Sequence, residues 1–143
     1  MTVLTRTTPL PVVAVTMGDG AGIGPEVIVR ALVDDTALSF CDPVVIGDAK
    51  RLAQAAELLG VDVEIVTVDS VATAQKTPGR INVVDLDLLP ADLPWGELSA
   101  VAGHAAYEYL RVAAELAVRG DVQAICTAPL NKEALHAAGH IFP

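Results

Sequence analysis

An alternation of short β-branched runs with Ala- and Leu-rich segments is the feature that most constrains the fold of this sequence. Val-rich apolar runs such as PVVAVTM and DPVVIGD are typical of buried strands, and the segments between them carry helix signals. This order predicts an α/β fold, a mostly parallel sheet flanked by helices, with ligands collected at the carboxyl ends of the strands. The predicted strands are 11–17, 42–48, 61–68, 81–86 and 122–129, and the predicted helices are 24–35, 49–60, 99–120 and 130–139.

Some of these segments also predict how deeply they are buried. The run VQAICTAP (122–129) is apolar and predicts a buried strand, with Cys126 as a small core residue. The alternating run at 61–68 predicts a strand with one less buried face. Pro94 and Trp95 fall in a proline-punctuated loop, which we expect them to anchor.

Composition excludes several classes of function. With 143 residues, of which 52% are hydrophobic and 19% charged, the chain is expected to form one compact domain or part of one. Its net charge is −9 and its Lys and Arg residues are scattered, so it offers no basic face to a phosphate backbone or an anionic membrane. Nucleic acid and membrane partners are therefore not expected.

The cysteines and the amino-terminal stretch indicate the compartment. Cys41 and Cys126 lie far apart in apolar surroundings, which predicts buried, reduced thiols and a cytoplasmic protein. The amino-terminal stretch has no continuous apolar region, and no later run approaches the roughly 18 apolar residues of a membrane span. We expect a protein that is neither exported nor inserted into a membrane.

Two loops that follow predicted strands, 18–24 and 127–132, are expected to carry the chemistry. The first has glycine at every second position and precedes Pro25 and Glu26, which are signals of a helix start. Such a loop can hold phosphate groups at a helix N-terminus, or it can be a tight structural turn. Its spacing does not match the strict G-x-G-x-x-G fingerprint of dinucleotide-binding proteins, although Asp48 stands where that fingerprint has an acidic residue, at the end of the next strand. A Walker A loop is excluded because Gly-Lys-Ser/Thr is missing.

Three segments carry a resemblance to a known family. GDGAGIGPEV is similar to the Gly-Asp-x-Ala-Gly-Ile-Gly-Pro-Glu turn of the 4-hydroxythreonine-4-phosphate dehydrogenases. TAPLNKEALHAAGHIFP resembles their Thr-x-Pro-x-x-Lys segment, in particular in the D-threonate and D-erythronate 4-phosphate branch, and GELSAVAGHAAYEYL resembles the segment leading into their long helix. The resemblance implies an isocitrate and isopropylmalate dehydrogenase-like fold that is incomplete here, with residues 1–143 as its N-terminal portion.

The resemblance also implies an activity. The family carries out NAD- or NADP-dependent oxidation and decarboxylation of a small phosphorylated hydroxy acid, 4-phosphohydroxy-L-threonine or D-threonate or D-erythronate 4-phosphate, as a homodimer with a divalent metal (Zn, Mg, Mn or Co). Its dinucleotide is not held by the first glycine loop, so the 18–24 turn is expected to shape the floor of the cleft. The family's metal-binding histidines and most cofactor contacts follow the matched region, so no metal ligand is assigned here and the chain alone is expected to be inactive.

The candidate site residues come from the two loops. Lys132 is the candidate catalytic residue, holding a substrate carboxylate or phosphate or acting in proton transfer; the alternative is a solvated lysine at a helix N-terminus. Asn131 is the predicted N-cap of that helix. Asp19 contacts cofactor or metal-bound water in one interpretation and its own backbone in the other. The other candidate cleft residues are Gly18, Gly20 and Thr127.

The spacing of the histidines raises the question of a metal site. His136 and His140 have zinc-ligand spacing, but Gly139 is expected to end the helix between them and no third ligand is at hand, so no metal role is predicted. His104 is expected at the surface or an interface.

Two alternative functions remain open from the sequence. The chain can also be a non-catalytic module that binds a phosphorylated metabolite, or an inactive remnant with exposed apolar surface and unpaired sheet edges.

Overall fold

A parallel five-stranded sheet organises the computed structural model, which describes residues 9–141. Its strands are β1 (Val12–Thr16), β2 (Asp42–Gly47), β3 (Glu64–Thr67), β4 (Arg80–Asp85) and β5 (Ala124–Thr127). They lie in the order β3-β4-β2-β1-β5, and every neighbouring pair is parallel. The predicted α/β fold with a parallel sheet is confirmed, and β1 lies between β2 and β5.

Helices cover this sheet and account for the segments between the strands. α4 packs on β1, β2 and β5, whereas α3 packs on α1 and on the β3 and β4 side of the sheet. Residues 1–8, in the amino-terminal stretch, and 142–143, at the end of the 127–143 segment, lie outside the described residues. The helices are α1 (Gly24–Leu32), α2 (Asp35–Leu38), α3 (Ala49–Leu59), α4 (Ala100–Val118) and α5 (Lys132–Ala137), with one 3-10 turn at Val71–Thr73.

Local sequence explains where α1 begins and why it ends early. Pro25 occupies its first turn, where the missing N–H costs no hydrogen bond, and Glu26 lies near the positive end of the helix dipole. The predicted helix 24–35 is too long, because Asp34 caps α2 instead. Its side chain accepts a hydrogen bond from the Thr36 N–H at 3.0 Å.

The other helix ends follow their predicted signals more closely. Gly60, with φ of 64°, ends α3 in the left-handed conformation that favours glycine. The Ser99 hydroxyl caps α4 by accepting a hydrogen bond from the Ala102 N–H at 3.1 Å. α5 is shorter than the predicted 130–139, because its first helical residue is Lys132.

β5 is the strand whose predicted burial is wrong. All four of its residues are exposed, including Cys126, for which the sequence predicts a core position. The reason is topological: within residues 9–141, β5 hydrogen-bonds to β1 alone and lies at the edge of the sheet. β3, at the opposite edge, is shorter than predicted, since only Glu64–Thr67 is strand. The predicted difference between its faces is present, because Val61, Val63 and Ile65 are half-buried whereas Asp62 and Glu64 are exposed. Cys41 is half-buried, and both thiols are free.

Candidate active-site cleft

The two predicted loops meet in one cleft at the carboxyl ends of β1 and β5. The cleft has a volume of about 600 Å³. Its lining includes three of the predicted site residues, Asp19, Asn131 and Lys132, and does not include Gly18, Gly20 or Thr127. The lining residues are Asp19, Gly22, Ile23, Pro129, Leu130, Asn131, Lys132 and Glu133.

Backbone contacts join the two loops directly. The Asp19 N–H donates a hydrogen bond to the Pro129 carbonyl oxygen at 2.9 Å. Beside it, Gly18 has φ of 68°, and a Cβ there would lie 2.5 Å from the Pro129 oxygen and 2.7 Å from the Ala128 oxygen. Only glycine fits both the conformation and the space. Gly18 is therefore required for the loops to meet.

The remaining glycines of the 18–24 turn are also packed against the protein itself. A Cβ on Gly20 would overlap the Leu89 side chain, and one on Gly24 would overlap the Met17 carbonyl oxygen. The Asp19 carboxylate, which is nearly buried, accepts a hydrogen bond from the Ala21 N–H at 3.0 Å. Protein atoms thus fill the space that these glycines open, which favours a structural turn over a phosphate cradle.

Arg51 supports this turn from behind, and the sequence analysis did not identify it. Its side chain is 2% exposed, and its Nε donates a hydrogen bond to the Gly20 carbonyl oxygen at 2.7 Å. Its guanidinium also donates to the carbonyl oxygens of Leu93 and Pro94 and stacks over Trp95 at 3.4 Å. The predicted anchoring role of Pro94 and Trp95 is confirmed, with Arg51 as the residue to which they are anchored.

The Asp48 carboxylate accepts hydrogen bonds from three groups of the protein itself. One of its carboxylate oxygens accepts hydrogen bonds from the Leu88 and Leu89 N–H groups at 2.8 and 2.9 Å, and the other accepts from the Tyr109 hydroxyl. Burial raises the pKa of the Asp48 carboxyl, while burial and the neighbouring Asp48 charge raise the pKa of Tyr109. The acidic residue that resembles part of a dinucleotide fingerprint is therefore occupied in holding the 88–89 backbone.

Asn131 and Lys132 stand at the start of α5. The Asn131 side chain accepts a hydrogen bond from the Ala134 N–H at 3.2 Å, which confirms the predicted N-cap. Lys132 is exposed on the wall of the cleft. α4 fixes the position of α5, because Gly103 packs directly against the Ala134 carbonyl group with no room for a Cβ.

The histidines pair differently from their sequence spacing. His140 Nε2 lies 2.9 Å from His104 Nδ1, and the His140 ring stacks on Tyr107 with centroids 3.9 Å apart. His104 is at the surface, as predicted. Within residues 9–141, no three His, Cys, Asp or Glu side chains come together in a way that could hold a metal ion. Nor does any helix in that range have the length and apolarity needed to cross a membrane.

Comparison with known proteins decides the family. Residues 39–143, more than half of the chain, match the family described as pyridoxal phosphate biosynthetic protein PdxA. The chain belongs to the PdxA family. The predicted resemblance to this family is thereby confirmed, and two of the three segments that carry it lie within the matched residues.

Named PdxA relatives are dehydrogenases that are longer than this chain. D-threonate 4-phosphate dehydrogenase of Cupriavidus necator is 50% identical over 134 residues, covering 94% of this chain and 40% of the relative. 4-Hydroxythreonine-4-phosphate dehydrogenase of Trichlorobacter lovleyi is 44% identical over 138 residues, covering 95% and 41%. The crystal structure of a 4-hydroxythreonine-4-phosphate dehydrogenase from Burkholderia phymatum matches with a TM-score of 0.93 at 51% identity, over 95% of this chain and 41% of that one. The chain spans about two fifths of the length of these relatives.

Proposed function

We propose that this chain is the N-terminal portion of an NAD- or NADP-dependent dehydrogenase of a 4-phosphorylated hydroxy acid. The observation that carries the proposal is the 50% identity to the D-threonate 4-phosphate dehydrogenase of Cupriavidus necator. D-threonate 4-phosphate is accordingly the first substrate to test, and D-erythronate 4-phosphate and 4-phosphohydroxy-L-threonine are the others. The complete enzyme is proposed to decarboxylate the oxidised acid and to act as a cytoplasmic homodimer.

The cleft supports this proposal through its position and through Lys132, although Asp19 and Glu133 give its lining a net negative formal charge. It opens at the carboxyl ends of parallel strands, where α/β proteins bind ligands. Lys132 is the one cation among the lining residues that the structure describes, and its ammonium can attract a substrate phosphate or carboxylate as a point charge. Asp19 lines the same cleft and is held by its hydrogen bonds with Pro129 and Ala21.

The exposed edge of the sheet supports the proposal that a further portion completes the enzyme. β5 exposes all four residues, and Ile125 leaves 40% of its surface accessible. An edge strand of this composition, paired on one side alone within the described residues, is a site for pairing with another strand. We assign that role to the carboxyl-terminal portion that the longer relatives carry.

The cofactors are assigned to this chain only as far as its residues fit them. When bound, the nicotinamide accepts the hydride from the substrate alcohol. The described residues offer no three-ligand metal cluster, and the spaces beside the glycines are filled by protein. We therefore propose that the divalent metal and most of the dinucleotide are held by the carboxyl-terminal portion.

Complementation tests the proposal. This chain is co-expressed with the part of the Cupriavidus necator enzyme that follows the matched region, and reduced nicotinamide is followed by absorbance with D-threonate 4-phosphate as substrate. We expect activity from the pair and none from either portion alone. A stable pair that binds the acid without reducing the nicotinamide would contradict the dehydrogenase proposal and favour a binding module.

Lys132 is tested within the same pair. Lys132→Met is expected to lower kcat/KM by about 10²-fold or more, because it removes a charge or a proton-transfer group from the site. Lys50→Met is the matched control, since Lys50 is an exposed lysine that is not among the cleft lining and whose exposed ion pair with Asp87 spans 3.7 Å. Equal activity of the two variants would assign Lys132 to the solvated surface.

A further inference from the structure

Arg51 is a buried cation whose hydrogen-bond partners are all uncharged. Its side chain is 2% exposed, and within the described residues its hydrogen bonds go to three carbonyl oxygens and the Gln54 side-chain oxygen at 3.0 Å. Burying a guanidinium in this way costs free energy that a Leu or Met at the same place would not. Burial lowers the pKa of Arg51, and the nearby Asp19 carboxylate opposes that shift. A residue with this cost calls for a compensating role.

The geometry of its donors indicates the role. Arg51 sits in the first turn of α3 and reaches the glycine turn through the Gly20 oxygen and the 93–95 loop through the Leu93 oxygen at 2.8 Å. The two loops also bond to each other, because the Gly96 N–H donates to the Ala21 carbonyl oxygen at 2.6 Å. The guanidinium thus joins three segments that are distant in sequence and converge behind the cleft.

A second contact holds Gly20 from another direction. The Leu89 side chain packs against the bare Cα of Gly20, and the Leu89 backbone is held by Asp48. Gly20 is therefore fixed by the Arg51 hydrogen bond at its oxygen and by Leu89 at its Cα. The residue before it is Asp19, which lines the cleft, so a displacement of Gly20 moves the Asp19 carboxylate.

We infer that Arg51 is a positioning residue, which sets the place of Asp19 in the cleft by holding the Gly20 carbonyl group. The inference rests on the proposed function for its kinetic consequence and on the fold alone for its structural one. Lysine cannot substitute fully, because a single ammonium lacks the planar fork that reaches Gly20, Leu93 and Pro94 at once and stacks on Trp95.

The structural consequence is tested by amide hydrogen exchange in the chain itself. In Arg51→Lys, exchange at the Ala21 amide, which donates to Asp19, is expected to accelerate about tenfold relative to wild type. The Val68 amide, which donates to the Val83 oxygen at 2.9 Å in the opposite half of the sheet, serves as the reference and is expected to change little. Gln54→Ala is the matched control, since it removes the Gln54 bonds to Arg51 and to the Ala91 oxygen and leaves Gly20 untouched.

Two outcomes overturn the inference at this level. In one, Ala21 and Val68 accelerate by the same factor in Arg51→Lys, which means that Arg51 contributes only to global stability. In the other, Gln54→Ala accelerates Ala21 as much as Arg51→Lys does. Trp95→Leu keeps the hydrogen bonds of Arg51 and removes the ring beneath it. It is expected to give a smaller, equally local acceleration, and it carries the test where Arg51→Lys does not fold.

The kinetic consequence is tested in the complemented pair. Arg51→Lys is expected to lower kcat/KM per folded molecule about tenfold, because misplacement of a site residue weakens transition-state contacts, while Gln54→Ala stays within about twofold. Unchanged kcat/KM in Arg51→Lys, with wild type active, overturns the inference. An inactive wild-type pair counts against the proposed function alone, since the exchange result is obtained without turnover.

Discussion

β2 and β5 flank the same strand, run parallel to it and are both apolar, yet one is buried and the other exposed. β2 is buried at every position after Asp42, whereas β5 is exposed at all four. β2 hydrogen-bonds to β1 on one side and β4 on the other, and β5 hydrogen-bonds to β1 alone along the described chain. The burial of a strand is therefore set by the elements that pack beside it, and not by its composition alone.

The same contrast separates the two ends of the candidate site. The glycine turn is supported from behind by Arg51, Leu89 and the 93–95 loop. The 127–132 loop leaves β5 with exposed residues around it and is held through Asp19 and α4. Within the described residues, one wall of the cleft is thus supported from behind, whereas β5, next to the other wall, is paired only on the side that faces β1.

Core truncation gives the largest expected contrast between β2 and β5. Ile46→Ala in β2 removes a fully buried side chain and is expected to lower the free energy of unfolding by about 3 kcal/mol. Ile125→Ala in β5 removes a side chain that is 40% exposed and is expected to cost about 1 kcal/mol or less. Urea denaturation of the two variants measures both values. Equal losses would mean that β5 packs as tightly as β2 in solution.

The rates of thiol labelling at Cys126 and Cys41 are expected to show a smaller difference between β5 and the buried side of the sheet. Cys126 in β5 is exposed, whereas Cys41 is half-buried and its burial raises the pKa of the thiol, which lowers the thiolate fraction. Maleimide is expected to react with Cys126 about tenfold faster than with Cys41, as measured by mass spectrometry of digested protein. Addition of the carboxyl-terminal portion sharpens the comparison, since pairing at β5 is expected to slow Cys126 and leave Cys41 unchanged. Faster labelling of Cys41 would contradict the assigned exposure.

The pH dependence contributed by Asp48, the residue that follows β2, is the smallest effect. The folded-state pKa of Asp48 is raised above its ordinary value of 3.8, so the native state binds this proton more tightly than the unfolded state. The stability contributed by this group is therefore lost as pH rises from about 3.8 through the folded pKa. Asp48→Asn, which keeps an oxygen for the Leu88 and Leu89 amides, is expected to remove that part of the slope. A steeper loss of stability with rising pH in the variant would reverse the assigned sign.

Local signals predicted the elements well because they act within a few residues. The glycine that ends α3, the proline in the first turn of α1 and the Asn131 cap each satisfy backbone groups of their own helix. The parallel order followed from the alternation of strands and helices. The resemblance of the two loops predicted that Asp19, Asn131 and Lys132 share a site, and the structure places them in the lining of one cleft. Their functional roles stay predictions.

The features that sequence could not supply depend on contacts between distant segments. Arg51 bonds to Gly20 from 31 residues away, and Tyr109 bonds to Asp48 from 61 residues away. An arginine on the face of α3 that also carries buried Leu52 and Ala55 was the available signal for a buried cation. The exposure of β5 gave no signal at all, because an edge strand and a central strand can have the same apolar sequence.

Because Gly103 in α4 packs against the Ala134 carbonyl group in α5, the crossing of these two helices sets the position of the α5 residues that line the cleft. A single methyl group at 103 could be accommodated only by moving α5 away from α4, and Lys132 would travel with it. Variation at this one buried position would then retune the distance between the cleft's cation and any bound anion while every lining residue stayed the same. Comparisons of cleft residues alone would miss that change.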